Sequence, residues 1–185
     1  LWPEFLRIVR HVRPVWVLRE HVVSRDADLC WAELVSLGYD TIILEADSAQ
    51  VTGQSRPREY LVGVLASARI CPGAIFHQPE GCGEHPDKNG QAEPIAACLT
   101  THPYRMDSRD NYVLEPGRGT RILAPVERER LQGAPEGWTA GLSDRQRAKL
   151  IGNGATVPVV RWIGQRILEA NRRLFRAAQR AGAAS

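Results

Sequence analysis

The sequence predicts an α/β fold, on three observations. Helical and strand-like segments alternate over the first 65 residues, the rhythm of folds that lay helices on a sheet. The first strand-like segment is a short, continuous apolar run, of the kind covered on both faces in a parallel sheet. A long amphipathic helical pattern closes the chain. Composition agrees: 43% hydrophobic content over 185 residues allows a core, and 24% charged content is ordinary for a globular protein of one domain or slightly more.

The elements follow in order. Residues 2–12 form a helix, with Phe5, Leu6, Ile8, Val9 and Val12 on one face and Arg7, Arg10 and Arg13 opposite. Pro14 stops it. Val15–Leu18 is the first strand, and the chain then turns abruptly polar at Arg19, Glu20 and His21. Asp26–Leu37 is a second helix, closed by Gly38. Thr41–Leu44 is a second apolar strand, ending on Glu45, Ala46 and Asp47, and Arg58–Leu65 is a third. Residues 66–118 are rich in Gly and Pro and poor in periodicity, which predicts a loop-rich lobe. Regularity returns with a short helix at Pro125–Leu131, Pro in its first turn. Ser143–Ile151 is another, with Ser143 and Gln146 spaced for a capping box. The last helix, Val157–Arg180, carries a stripe of Val160, Ile163, Ile167, Leu168, Leu174 and Ala178.

Several function classes are disfavoured. No run of 18 apolar residues exists to span a membrane, and the first residues have no apolar signal-peptide core. A start on Leu, already inside a helical pattern, reads as a chain whose upstream segment is missing, or as a processed or cloned start. The four cysteines, Cys30, Cys71, Cys82 and Cys98, match no disulfide framework, so reduced thiols and a cytoplasmic setting are expected. Cys71, His77, Cys82 and His85 are close in sequence but lack a paired Cys-x-x-Cys knuckle, so a Gly/Pro-rich loop is preferred to zinc and no metal is expected. Net charge is +3, and Arg161, Arg166, Arg172, Arg173, Arg176 and Arg180 face only Glu169 in the last helix. A solvated helix face is preferred there, with nucleic-acid contact as the alternative.

Glu20 poses the central question, because a buried carboxylate costs several kcal/mol unless it is paired or has a task. In open α/β sheets ligands bind beyond the carboxyl ends of the strands. Glu20 follows one strand, Glu45 and Asp47 end the next, and QSRPR (54–58) brings Arg56 and Arg58 to the entry of the third. These groups are expected to share a crevice, and a structural ion pair is the competing reading.

Four stretches carry a resemblance. RILAPVERERLQGAPEGWT (121–139) resembles the ninth motif of the DNA cytosine-5 methyltransferases, R-x-L-x-P-x-E-x-x-R-L-Q-G-F-P, at Arg121, Leu123, Pro125, Glu127, Arg130, Leu131, Gln132, Gly133 and Pro135. IGNGATVPVVRWIG (151–164) resembles the tenth, QSRPR the eighth and REHV (19–22) the sixth. His21 departs from the family's Asn, Ala134 from its aromatic, and Gly154-Ala155 from its usual Ala-Val. The glycine-rich cofactor loop and the Pro-Cys nucleophile of the family are absent; Cys71 precedes its proline, and Cys30 lies in a helical pattern.

The resemblance implies the C-terminal part of a Rossmann-like, S-adenosylmethionine-dependent methyltransferase sheet: partial catalytic domain 1–65, shortened target-recognition lobe 66–118, and helices 119–185 that close the domain. It implies methyl transfer from S-adenosyl-L-methionine to carbon 5 of a flipped cytosine in double-stranded DNA. Glu20 would meet nitrogen 3 of the base and Arg58 oxygen 2, with Arg56 in support. Asn153, Gly154 and Ala155 would lie beside the amino-acid end of the cofactor, although Gly-Asn-Gly also reads as a turn. Arg69, Lys88, His102, Arg105, Arg109 and Arg118 in the lobe could reach phosphate or base, or be solvated surface. Three readings remain: an incomplete enzyme, inactive alone; a subunit of a split enzyme completed by an N-terminal half; and a non-catalytic DNA-binding module.

Overall fold

A computed structural model describes residues 1–24, 27–76, 96–101 and 111–182. Chain contacts group them into two units. The first draws on Leu1–Ala46, Pro57–Glu80 and Trp162–Ser185; the second on Asp47–Arg56 and Gly81–Arg161.

The first unit opens with α1 (Trp2–Val12), which buries Leu6 and Val9. Its stripe is narrower than the sequence suggests, since Ile8 and Val12 stay about half exposed. Arg13 ends it in the left-handed region (φ 50°), donating its N–H to Val9 O at 2.9 Å, and Pro14 prevents continuation. Strand β1 (Trp16–His21) follows, then α2 (Ala27–Ser36), closed where the Gly38 N–H reaches Val35 O at φ +82°. Strands β2 (Tyr39–Asp47) and β3 (Pro57–Leu65) complete a sheet ordered β1-β3-β2.

The first strand was expected in a parallel sheet, but β1 and β3 are antiparallel, with Glu20 opposite Tyr60 and His21 opposite Glu59. Glu20 therefore lies inside β1, not beyond it. Side chains alternate between faces. Val17, Arg19 and Leu61 look toward a core of Leu6, Val9, Cys30, Leu34 and Tyr39. Trp16, Leu18 and Glu20 share the other face with Arg58, Tyr60, Val62 and Val64. There the Trp16 indole donates to Asn171 Oδ1 at 3.0 Å, which places helix α6 (Val157–Gly182) against that side. The two helix-covered faces explain why the strand reads as a continuous apolar run. Among the described residues β1 is outermost, and Leu18 within it and Val15, Val22 and Val23 at its ends are exposed.

Helix α6 buries Ile163 and Ala170, while Leu168 and Phe175 are mostly exposed. Its predicted stripe is thus covered only along its earlier turns. A short helix α3 (Pro72–Phe76) brings Phe76 to 5.8 Å from the Trp162 ring.

In the second unit a hairpin, β4 (Tyr112–Glu115) and β5 (Gly119–Ile122), stands where a loop was expected. Its turn uses Gly117 and Gly119 at φ +77° and +91°, with Arg118 N–H on Glu115 O at 3.0 Å. Helices α4 (Pro125–Leu131) and α5 (Asp144–Asn153) fall where predicted, and Gln146 Oε1 accepts from the Ser143 N–H and hydroxyl. No described helix is long and apolar enough to cross a membrane.

Candidate active site

Antiparallel pairing brings the end of β1 to the start of β3, and this is what joins Glu20 to Arg58. Glu20 faces Tyr60 across the ladder, and Arg58 is the diagonal neighbour on the same face. Arg58 Nε stands 3.0 Å from Glu20 Oε1, with side chains 12% and 28% exposed. Arg58 Nη1 donates to Pro57 O at 2.8 Å. Glu20 Oε1 is buried and takes no aligned hydrogen bond among the described residues. On the opposite face Arg19 and Glu59 make a looser pair at 3.5 Å, with Arg19 stacked 5.2 Å from the Trp2 ring.

The other carboxylates do not join this pair as expected. Glu45 is exposed. Asp47 organises its own loop, accepting from Ala49 N–H (3.0 Å), Arg56 N–H (2.7 Å) and the Ser55 hydroxyl (2.9 Å). Burial pushes its pKa up, and these three hydrogen bonds more than reverse the effect, leaving it below the ordinary carboxylate value.

Arg56 is 3% exposed, and its guanidinium serves the second unit. Nη2 donates to Gly152 O at 2.9 Å and Gly154 O at 3.0 Å; Nη1 donates to Leu99 O and Cys98 Sγ, both at 3.3 Å. Gln54, fully buried, accepts from Leu99 N–H at 2.7 Å and donates to Gln132 Oε1 at 2.9 Å. Gln132 in turn donates to Gly154 O and accepts Val157 N–H on its carbonyl. Gly154 ends α5 with its N–H on Leu150 O at 3.0 Å; Gly152 and Asn153, expected in a turn, instead form the last residues of that helix. Asn153 is exposed at that helix end, with Gly154 and Ala155 half-buried beside it.

Residues 115–147 supply a second polar network. Glu129, fully buried, accepts from Gly137 N–H (2.7 Å), Thr139 N–H (3.0 Å), the Thr139 hydroxyl and Arg147 Nη2 (2.9 Å). Burial pushes its pKa up; the Thr139 hydroxyl, Arg147 and the two N–H groups overcome that and hold it at about 2. Arg121 bridges Glu115 and Glu127 at 2.7 Å each, and Glu127 also accepts the Ala124 N–H at 2.6 Å, capping α4. Gly133 sits at φ +71°, where an added Cβ would lie 2.8 Å from Pro158 Cγ and nearer still to Cδ. Gly133→Ala therefore combines a left-handed penalty with a clash against a rigid ring, and is expected to destabilise the chain by about 2–4 kcal/mol. A thermal melt within a degree or two of the parent would contradict this.

The structure thus unites Glu20 with Arg58, and unites Arg56 with the carbonyls around Asn153 and Gly154. Glu129, Arg147 and Gln54 were missed as organisers, because nothing in their local spacing reveals a buried acceptor. Cys30 is a core residue, and Cys71 is an exposed free thiol. No cluster of metal-binding side chains occurs among the described residues. His77, Cys82, His85, Lys88, His102, Arg105 and Arg109 lie outside them.

Comparison with known proteins gives consistent results. Residues 86–169 match the family model for C-5 cytosine-specific DNA methylase. The Type II methyltransferase M.NlaX of Neisseria lactamica is 34% identical over 64 residues, 35% of this chain and 20% of that protein. M.Sau3AI of Staphylococcus aureus is 37% identical over 60 residues, 32% of this chain and 15% of that protein. The matched segments thus span a fifth or less of the length of these relatives. Among solved structures, the Entamoeba histolytica methyltransferase EhMeth aligns at TM-score 0.66 and 15% identity, over 91% of this chain and 68% of that one. The S. pombe Dnmt2 methyltransferase aligns at 0.63 and 21%, over 91% and 70%. The α/β architecture is therefore that of part of a Rossmann-like methyltransferase fold, and residues 86–169 are similar in sequence to the C-5 cytosine-specific DNA methylase family.

Proposed function

We propose that this chain is the C-terminal portion of a DNA (cytosine-5-)-methyltransferase that acts on a cytosine flipped out of double-stranded DNA. The observation that carries the reading is the Glu20–Arg58 pair, a carboxyl group and a guanidinium on one face of the sheet at 3.0 Å, with Glu20 Oε1 buried and unused as a hydrogen-bond acceptor among the described residues. Attack by a thiolate on carbon 6 drives negative charge into the pyrimidine ring. Glu20 takes up a proton from solvent as the base displaces it from Arg58 and gives that proton to nitrogen 3, while Arg58 stabilises charge on oxygen 2, so carbon 5 becomes enamine-like; after methylation carbon 5 loses its own proton to solvent and the thiolate is expelled. The thiolate belongs to a complementary N-terminal portion, on the same or a separate polypeptide.

S-adenosyl-L-methionine supplies the methyl group when bound. The turn at Asn153, Gly154 and Ala155 fits its amino-acid end: the exposed Asn153 amide offers both a donor and an acceptor, and the two small residues beside it leave room for approach. Arg56 keeps that turn in shape and does not act on the base.

The test is incorporation of labelled methyl groups into DNA. The chain alone is expected to transfer none, and the chain mixed with an N-terminal portion of a relative is expected to yield 5-methylcytosine. Transfer by the purified chain alone would overturn the assignment of the thiol to another portion. Salt-sensitive DNA binding by the chain, with methylation never restored, would favour a binding module instead.

A further inference from the structure

Arg56 has the residue type of a catalytic cation and the surroundings of a strap. Its guanidinium is almost wholly buried, and four of its contacts at 2.9–3.3 Å end on groups of residues 98–99 and 152–154. Two of the acceptors, Gly152 O and Gly154 O, bracket Asn153. Nη2 alone donates to both carbonyls, and Nη1 of the same rigid planar head reaches the 98–99 groups, a span that a compact ammonium does not reproduce. The same turn is fixed from two further directions. Gln132 donates to Gly154 O, and Gly152 packs so closely on the chain that an added Cβ would lie 2.6 Å from Thr100 O. Gln54, two residues before Arg56, ties Gln132 and Leu99 into the same scheme. The backbone N–H of Arg56 is itself anchored on Asp47 at 2.7 Å.

We infer that Arg56 is a positioning residue: it sets the backbone of the 152–155 turn, so that the Asn153 amide is presented to the amino-acid end of the methyl donor. The inference rests on the proposed function for the identity of that ligand, and on the hydrogen bonds alone for the strap. It separates the two arginines of the QSRPR segment by task, Arg58 for the base and Arg56 for the methyl-donor turn.

Two measurements test it. In the purified chain, amide hydrogen exchange over residues 150–157 is expected to accelerate about tenfold in Arg56→Gln and less in Arg56→Lys, which keeps a cationic donor but not the planar head that spans both the 98–99 and the 152–154 groups. In the enzyme completed with an N-terminal portion, both variants are expected to raise KM for S-adenosyl-L-methionine, by about tenfold in Arg56→Gln, with kcat held within about threefold. If Arg56→Gln does not fold, Arg56→Lys carries both measurements. Unchanged exchange at 150–157 overturns the strap. A fall in kcat with KM unchanged makes Arg56 a group that acts on the base and overturns the division of tasks. If the completed wild-type enzyme methylates nothing, the functional reading fails, and the exchange experiment still decides the strap.

Discussion

Glu20→Gln in the completed enzyme is expected to lower kcat about a thousandfold while leaving the fold intact. A glutamine keeps the shape of the side chain but cannot give a proton to nitrogen 3, and placed acid–base groups contribute about a hundredfold to ten-thousandfold. The competing reading, that Glu20 only pairs with Arg58, makes a different forecast. The pair is partly exposed, at 28% and 12%, and partly exposed ion pairs are worth about 1 kcal/mol or less. Loss of the pair alone would shift the melting temperature by a few degrees and leave turnover near normal. Measuring kcat and the thermal midpoint on the same variant separates the two. A hundredfold or greater loss of kcat with a midpoint within a few degrees of the parent supports the site; near-normal turnover returns Glu20 to the ion-pair reading.

Glu129→Gln is expected to be the most destabilising isosteric change in the second unit. The carboxylate is fully buried and receives Arg147 together with two N–H groups and a hydroxyl. Glutamine removes the charge that compensates Arg147, whose side chain is 15% exposed, and turns one acceptor into a donor facing donors. Breaking one side of a buried pair costs about 3–5 kcal/mol. For a chain of this size that is roughly 10 °C of melting temperature. The pH dependence has a definite sign. The folded pKa, about 2, lies below the ordinary glutamate value of 4.5, so Glu129 stabilises the fold fully above about pH 5. That contribution drains away as pH falls from about 5 through 2. Urea unfolding at pH 7 and pH 3 should show a large loss for the parent chain and a smaller loss for Glu129→Gln. Equal losses in both would refute this account.

Much of the fold was legible because its signals are local. Proline and glycine punctuate α1, α2 and α4 where the chain turns, and the apolar runs of β1 and β3 announce strands covered by helices. Strand direction was not legible, since a continuous apolar run looks alike in parallel and antiparallel pairs. The correction matters: antiparallel pairing, not a shared carboxyl edge, delivers Glu20 to Arg58. The hairpin at 112–122 was missed because its strands are four residues each and half exposed, too short for alternation to show. The convergence of Glu20 with Arg56 and Arg58 was expected from the ends of neighbouring strands, and only Arg58 meets Glu20; the diversion of Arg56 to the carbonyls of Gly152 and Gly154 was not expected. Two arginines a residue apart look equivalent in sequence. Only the strand's start at Pro57 divides them, turning one into the sheet and leaving the other in the loop before it.

The outer rim of β1 carries a consequence of its own. Among the described residues nothing pairs with that rim, and its peptide groups offer a template to any extended polypeptide, copies of this chain included. Concentrated solutions of the bare chain are therefore prone to rim-to-rim zipping. A companion that contributed one more strand would seal the rim through main-chain bonds and choose its seat by the spacing of the exposed apolar side chains.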